Sequence, residues 1–144
     1  MRAILILFVI LLTAGPSLAA SAQDGIPDLT GTWTIVADGM AFAIPKAGDP
    51  ETVHAESEFV IDHQDGFKIS GSETTQNMSG TVPVSEKEQF AGVIGVDNKT
   101  VSMIDENGFR DCDIVSSDKM ECIYRHVASS RGVVTRNTWV KQAK

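Results

Sequence analysis

The sequence predicts an all-β fold, a single eight-stranded antiparallel barrel with up-and-down strand order. Three observations lead there. Downstream of an N-terminal apolar run, short β-prone segments alternate with turn residues, the mark of a sandwich or a barrel. No heptad pattern and no long stretch of 3.6-residue periodicity competes with that alternation. The connections between segments are mostly short, which makes successive strands antiparallel neighbours. An eight-stranded meander closes into a barrel whose interior just accommodates side chains or one small ligand.

The first strand is expected over Thr32–Val36, directly after Gly31. The longest connection follows, from Asp38 to Glu56, and contains Met40, Phe42, Ile44 and Pro45. Those apolar residues suit either a gate over the barrel mouth or a plug at one end of the core. Ser57–His63 is the second strand, and Gln64-Asp65-Gly66 turns the chain into a third at Phe67–Thr74, with Gly66 available for a positive φ. A loop at Asn77–Val84, with Gly80 and Pro83, leads to the fourth strand at Glu88–Gly95. Asp97-Asn98 then turns into a fifth at Thr100–Ile104. The turn Asp105-Glu106-Asn107-Gly108 precedes the sixth strand, Phe109–Val115, and Ser116-Ser117-Asp118 precedes the seventh, Lys119–Val127. Ala128–Gly132 is a loop and Val133–Lys141 the last strand.

Residues 1–22 read as a cleavable secretory signal peptide, which leaves residues 23–144 as a single β-barrel domain. Arg2 supplies the positive flank, Ala3–Leu12 is an unbroken apolar run, and Ala20-Ser21-Ala22 offers small residues at the cleavage site. A run of about ten apolar residues is too short to span roughly 30 Å of hydrocarbon as a helix. No later stretch is apolar enough to be a membrane helix, so no integral membrane segment is expected after cleavage. The expected location is periplasmic or secreted.

Removing residues 1–22, with their one charge at Arg2, leaves 122 of the 144 residues and changes the net charge from −7 to −8. An acidic domain with no basic run argues against nucleic acid or an anionic membrane as partner. The sequons Asn77-Met78-Ser79 and Asn98-Lys99-Thr100 matter only in a glycosylating pathway. The chain has two cysteines, Cys112 and Cys122, and an even number in an exported protein favours a disulfide. If they stand directly opposite each other in the hairpin of strands six and seven, Ile114 faces Met120 and Arg110 faces Tyr124. One face then carries Arg110, Cys112, Ile114, Met120, Cys122 and Tyr124, and the other Asp111, Asp113, Glu121 and Arg125. The first face is the more apolar and should point inward. A direct cross-strand pair sets Cβ atoms about 4.5–5.5 Å apart, close to what a disulfide needs.

The stretch Asp28-Leu29-Thr30-Gly31-Thr32-Trp33 resembles the opening of the calycin barrels, the lipocalins and avidins, in which Gly-x-Trp starts the first strand. The resemblance covers six residues, near the expected mature N-terminus. It implies that Trp33 plugs the barrel floor under an arginine from the last strand, a part for Arg136 or Arg131 as cation–π partner. An avidin biotin site draws on several tryptophans, whereas this chain has only Trp33 and Trp139. The resemblance therefore implies a fold and no particular ligand.

Arg110, Tyr124 and His126 share one face of the predicted hairpin and are the leading candidates for ligand contact. Phe67 and Met103, with Ile69, are expected to line the same cavity. A buried Arg110 needs a partner, because an unpaired buried charge is costly. Either an anionic ligand or a carboxylate of the second strand, Asp62 or Glu58, would serve. His54, His63 and His126 have no metal-ligand spacing, and Asp105, Glu106, Asp111 and Asp113 lack the spacing of an EF-hand loop. No metal and no cofactor is expected. The chain has no Gly-x-Ser-x-Gly, His-Glu-x-x-His, phosphate-binding loop or dinucleotide fingerprint, which points away from an enzyme. The expected function is an exported, non-enzymatic β-barrel binding a small apolar or amphipathic ligand. The alternatives are a protein-interaction module, such as a periplasmic inhibitor that inserts Gln23–Asp28 into an exported hydrolase, and a structural envelope component.

Overall fold

Alternation of residue type along the chain becomes alternation between the inside and the outside of a barrel. In β1 (Gly31–Ala43), Trp33, Ile35, Ala37 and Ala41 are buried while Thr34, Val36 and Asp38 face out. In β2 (Glu51–Asp65), Val53, Ala55, Ser57, Phe59 and Ile61 are buried, with more exposed residues between them. The computed structural model describes residues 25–44, 48–78 and 87–143, and every regular element among them is a strand. After β2 come β3 (Lys68–Met78), β4 (Lys87–Ile94), β5 (Thr100–Ile104), β6 (Gly108–Ser116), β7 (Lys119–Val127) and β8 (Arg131–Lys141). Each strand runs antiparallel to the one before it, and β8 pairs with β1 to close an eight-stranded up-and-down barrel. The expected signal peptide, Pro45 of the first connection, and Gly80 and Pro83 of the β3–β4 loop lie outside the described residues.

The first connection is shorter than its sequence suggests. Asp38–Ala41 and Glu51–His54 are paired strand, so the link reduces to the residues between Ala43 and Glu51. Gly39 reads as a turn residue, but it sits inside β1 where a β-carbon would lie 2.1 Å from the Val134 carbonyl oxygen of β8. Its bare backbone lets the two strands approach closely where the barrel closes. Met40 and Phe42 accordingly project outward, neither gating the mouth nor plugging the core, and the Phe42 ring covers Gly132 on the neighbouring strand. β3 also runs past Thr74 to Met78.

One end of the barrel is filled. Trp33, Phe59, Phe90 and Trp139 form an aromatic cluster there, with Phe59 and Trp139 centroids 4.3 Å apart and the two indoles packed edge-on at 6.3 Å. Leu29, Ile61, Val101 and Met120 complete this floor. Trp33 donates its indole N–H to the Leu29 carbonyl at 3.0 Å. The segment before β1 is fastened underneath by Gln64, whose Oε1 accepts from the Leu29 amide while its Nε2 donates to the Pro27 carbonyl. The part of Gln23–Asp28 that is described therefore covers the floor. Cys112 stands opposite Cys122 across β6 and β7, with Cα atoms 4.0 Å apart, and the two are joined by a disulfide. Ile114 faces Met120 and Arg110 faces Tyr124, so the hairpin has the register that the cysteines require.

The closed meander is consistent with the calycin-like fold that the opening residues resemble. The cation over the Trp33 ring is Lys141, with Nζ 5.4 Å from the centroid and 3.2 Å from the Asp28 carbonyl. Neither Arg136 nor Arg131 takes that place. Thr135, Asn137 and Trp139 of β8 point inward, so Lys141 shares their side while Arg136 is turned outward toward Glu121. Arg131 lies at the opposite end of β8, near the mouth.

Candidate functional site

The bulkiest inward side chains lie at the floor and smaller ones above them. Along β1 the series is Trp33, Ile35, Ala37; along β2 it is Ile61, Phe59, Ser57, Ala55, Val53; along β8 it is Trp139, Asn137, Thr135. Smaller inward side chains leave space in the upper barrel. That space is a cavity of about 310 Å³ in the upper half of the barrel. The side built by β1 and β2 is mostly apolar, with Ile35, Ala37, Val53 and Ala55 beside Ser57, while β8 mixes Val133 with Arg131, Thr135 and Asn137. The remaining wall carries polar and charged groups from β3, β4, β6 and β7.

Arg110 is the centre of the polar wall. Its guanidinium is sandwiched between the Phe59 ring at 4.5 Å and the Tyr124 ring at 4.3 Å. It donates to Glu73 of β3 at 2.6 Å and to Asp105 of the β5–β6 turn at 2.7 Å. Such a charge-assisted pair from one planar fork holds the side chain rigidly across the barrel. Among the described residues its Nε has no hydrogen-bond partner. Asp105 also organises its own turn, because its other oxygen accepts from the Asn107 and Gly108 amides at 2.9 and 2.6 Å. The turn and the arginine are thus set by one carboxylate. Asn107 in turn donates to Glu88 of β4 at 3.3 Å. Tyr124 Oη and His126 Nδ1 are 3.4 Å apart, and Thr135 donates to Asn137 at 2.7 Å within the buried part of β8.

Three carboxylates share this wall with one guanidinium. One oxygen from each of Glu73, Glu88 and Asp105 lies within 4.8 Å of the other two. Burial pushes the Glu73 carboxyl up, outweighing the Arg110 charge beside it. Burial also raises Glu88, helped by the negative charges of Asp105 and Glu106. Burial, with the Asp105 charge, raises the Tyr124 phenol, so it remains a neutral hydroxyl. The guanidinium already bonds two of the three carboxylates, and this donor set does not suit a metal ion. The acidic residues Asp111 and Asp113 face outward and do not converge on it.

Arg110, Tyr124 and His126 all line the cavity. Phe67 and Met103 do not, and their placement corrects the sequence reading. Phe67 sits in the β2–β3 turn at the filled end, 49 % exposed beneath Lys68. Met103 points inward beside Arg110, but its side chain fills the space over Gly92 and is buried in the core. Glu58 and Asp62 are not the partners of Arg110; Glu73 and Asp105 are. His54 pairs with Asp38 on the outer surface at 2.7 Å, and His63 is exposed, so the histidines are not gathered. Sequence reasoning missed Glu73 and Glu88. The available signal was parity: Glu73 alternates with Ile69 and Gly71, and Glu88 with Phe90, on inward faces.

The fold and site define a closed antiparallel β-barrel with a filled floor and an upper cavity crossed by a stacked arginine. No protein-family model matches the chain, and no curated protein matches it significantly. Among solved structures it is similar to the S-type phycobiliprotein lyase CPES from Guillardia theta, at 9 % identity and a TM-score of 0.47. That match covers 80 % of this chain and 89 % of the other.

Proposed function

We propose that this chain is an exported, non-enzymatic binding protein that holds a small amphipathic molecule in the upper half of the barrel. The observation that carries the proposal is the cavity of about 310 Å³, mostly apolar on β1 and β2 and charged on β3, β4 and β6. A cavity of this volume has room for one small organic molecule. An amphipathic guest would lay its apolar body on Ala37, Ala55 and Val133 and its polar end toward β3, β4 and the β5–β6 turn. Arg110, Tyr124 and His126 are the proposed polar contacts. Arg110 acts through its fixed position, because its charge is already matched by Glu73 and Asp105.

Export is part of the same proposal. It is supported by the N-terminal run that reads as a signal peptide and by the Cys112–Cys122 disulfide, which suits an oxidising compartment. Among the described residues no helix is long and apolar enough to cross a membrane. The test is native mass spectrometry of the oxidised protein isolated from its own host. A retained small-molecule mass is expected in the wild type, and its loss in Ala55→Phe, which fills the cavity. A wild type that carries no small molecule, or an Ala55→Phe variant that retains it equally, would overturn the proposal.

A further inference from the structure

We propose that the cavity selects ligands bearing a protonated amine, seated against Glu88 on the acidic wall; this inference rests on the binding function proposed above. The charged groups on or beside the cavity are Glu73 on β3, Glu88 on β4, Asp105 and Glu106 in the β5–β6 turn, Arg110 on β6, His126 on β7 and Arg131 on β8. Glu73 and Asp105 are both bonded to Arg110. Glu88 is within 4.8 Å of both carboxylates, yet among the described residues no lysine or arginine lies within ion-pair distance of it. Its hydrogen bond from Asn107 comes from a neutral amide. The wall therefore sets three carboxylates against a single guanidinium.

Arg131 does not supply the missing charge. In a closed ring of eight strands, β8 lies four strands from β4 in either direction, so Arg131 stands on the opposite wall at the rim. A ligand with a cationic head relieves the excess directly, because charge–charge attraction is stronger in a partly desolvated site than at the rim. Ala37, Val53 and Ala55 of β1 and β2 receive the rest of the molecule. This geometry favours a short alkyl or aryl amine over an alcohol of the same shape, and disfavours a carboxylate. Burial and the Asp105 and Glu106 charges raise the Glu88 carboxyl by more than Arg110 and His126 lower it.

Calorimetric titration of the oxidised protein with n-octylamine, 1-octanol and octanoate tests this. At pH 8 an alkylamine, like a lysine side chain, carries its proton. Octylamine is expected to bind at least about tenfold more tightly than 1-octanol, the margin a charge-assisted contact supplies. Glu88→Gln, shown to be folded by its amide NMR spectrum, should bring octylamine to within about threefold of 1-octanol. Equal binding of amine and alcohol to the wild type would overturn the amine inference while leaving the cavity as a binding site. Tightest binding of octanoate would overturn it in favour of Arg131 as anchor. Failure of all three to bind would overturn the inference and the binding function together.

Discussion

Arg110 lies within the barrel at 4 % exposure and has two carboxylate partners and two aromatic faces. Removing it strands Glu73 and Asp105 in a desolvated wall, and breaking a buried pair from one side costs about 3–5 kcal/mol. Arg110→Met should therefore lower the urea midpoint strongly, and adding Glu73→Gln and Asp105→Asn should recover part of the loss. An Arg110→Met midpoint equal to wild type would show that the carboxylates relax into water. The same wall fixes a pH dependence. Glu73 and Glu88 have folded-state values above the usual 4.5, so the folded state holds their protons more tightly than the unfolded chain does. Their contribution to stability is complete below the unfolded value and is lost as pH rises through the folded values. Glu88→Gln should then be more stable relative to wild type at pH 7 than at pH 4, measured by urea midpoints at both. Asp97 and Glu121, lowered mainly by hydrogen bonds, act in the opposite sense at lower pH and are common to both proteins. Glu73 was visible in the sequence as an acid on an inward face. Its partner was not, because the two residues are 37 positions apart and meet only through the register of the strands between them.

The β6–β7 hairpin was the most legible element. Two cysteines at a separation of ten, placed opposite each other, determined which side chains face inward along both strands. Closing a loop of that length stabilises by about 2.5–3 kcal/mol in the chain-entropy model. The Cys112→Ala, Cys122→Ala double variant should fold to the same barrel with an unfolding free energy, measured by urea titration, lowered by that amount and a lower midpoint. An unchanged midpoint would mean that strand pairing alone already restricts the unfolded hairpin. β1 was the least legible element, and Gly39 is the reason. Glycine usually punctuates a strand, and here it permits a close strand approach that only closure of β1 on β8 reveals. The same local ambiguity hid the inward role of Ala41 and turned Met40 and Phe42 into expected loop residues although both lie on the outer surface.

At the scale of the whole molecule, strand count, order and direction follow from turn spacing, and the barrel was readable on those grounds. The cavity was not, because an empty volume belongs to no single residue. It appears only when the inward series of β1, β2 and β8 are brought round one axis, with large rings at the floor and alanine, serine and threonine above. Phe67 and Met103 were drawn into the expected pocket by hydrophobicity alone, without knowledge of their height along the axis. The central claim is that the upper barrel is an open binding cavity and the floor is a closed core. Amide chemical-shift mapping with 1-octanol tests this most directly, since it does not depend on ligand charge. The account predicts shifts at Ala37, Ala55, Thr135 and Asn137, none at Ile61 or Trp139, and their disappearance in Ala55→Phe. Shifts confined to outward residues such as Val36 and Val134, or no shifts at saturating ligand, would contradict it.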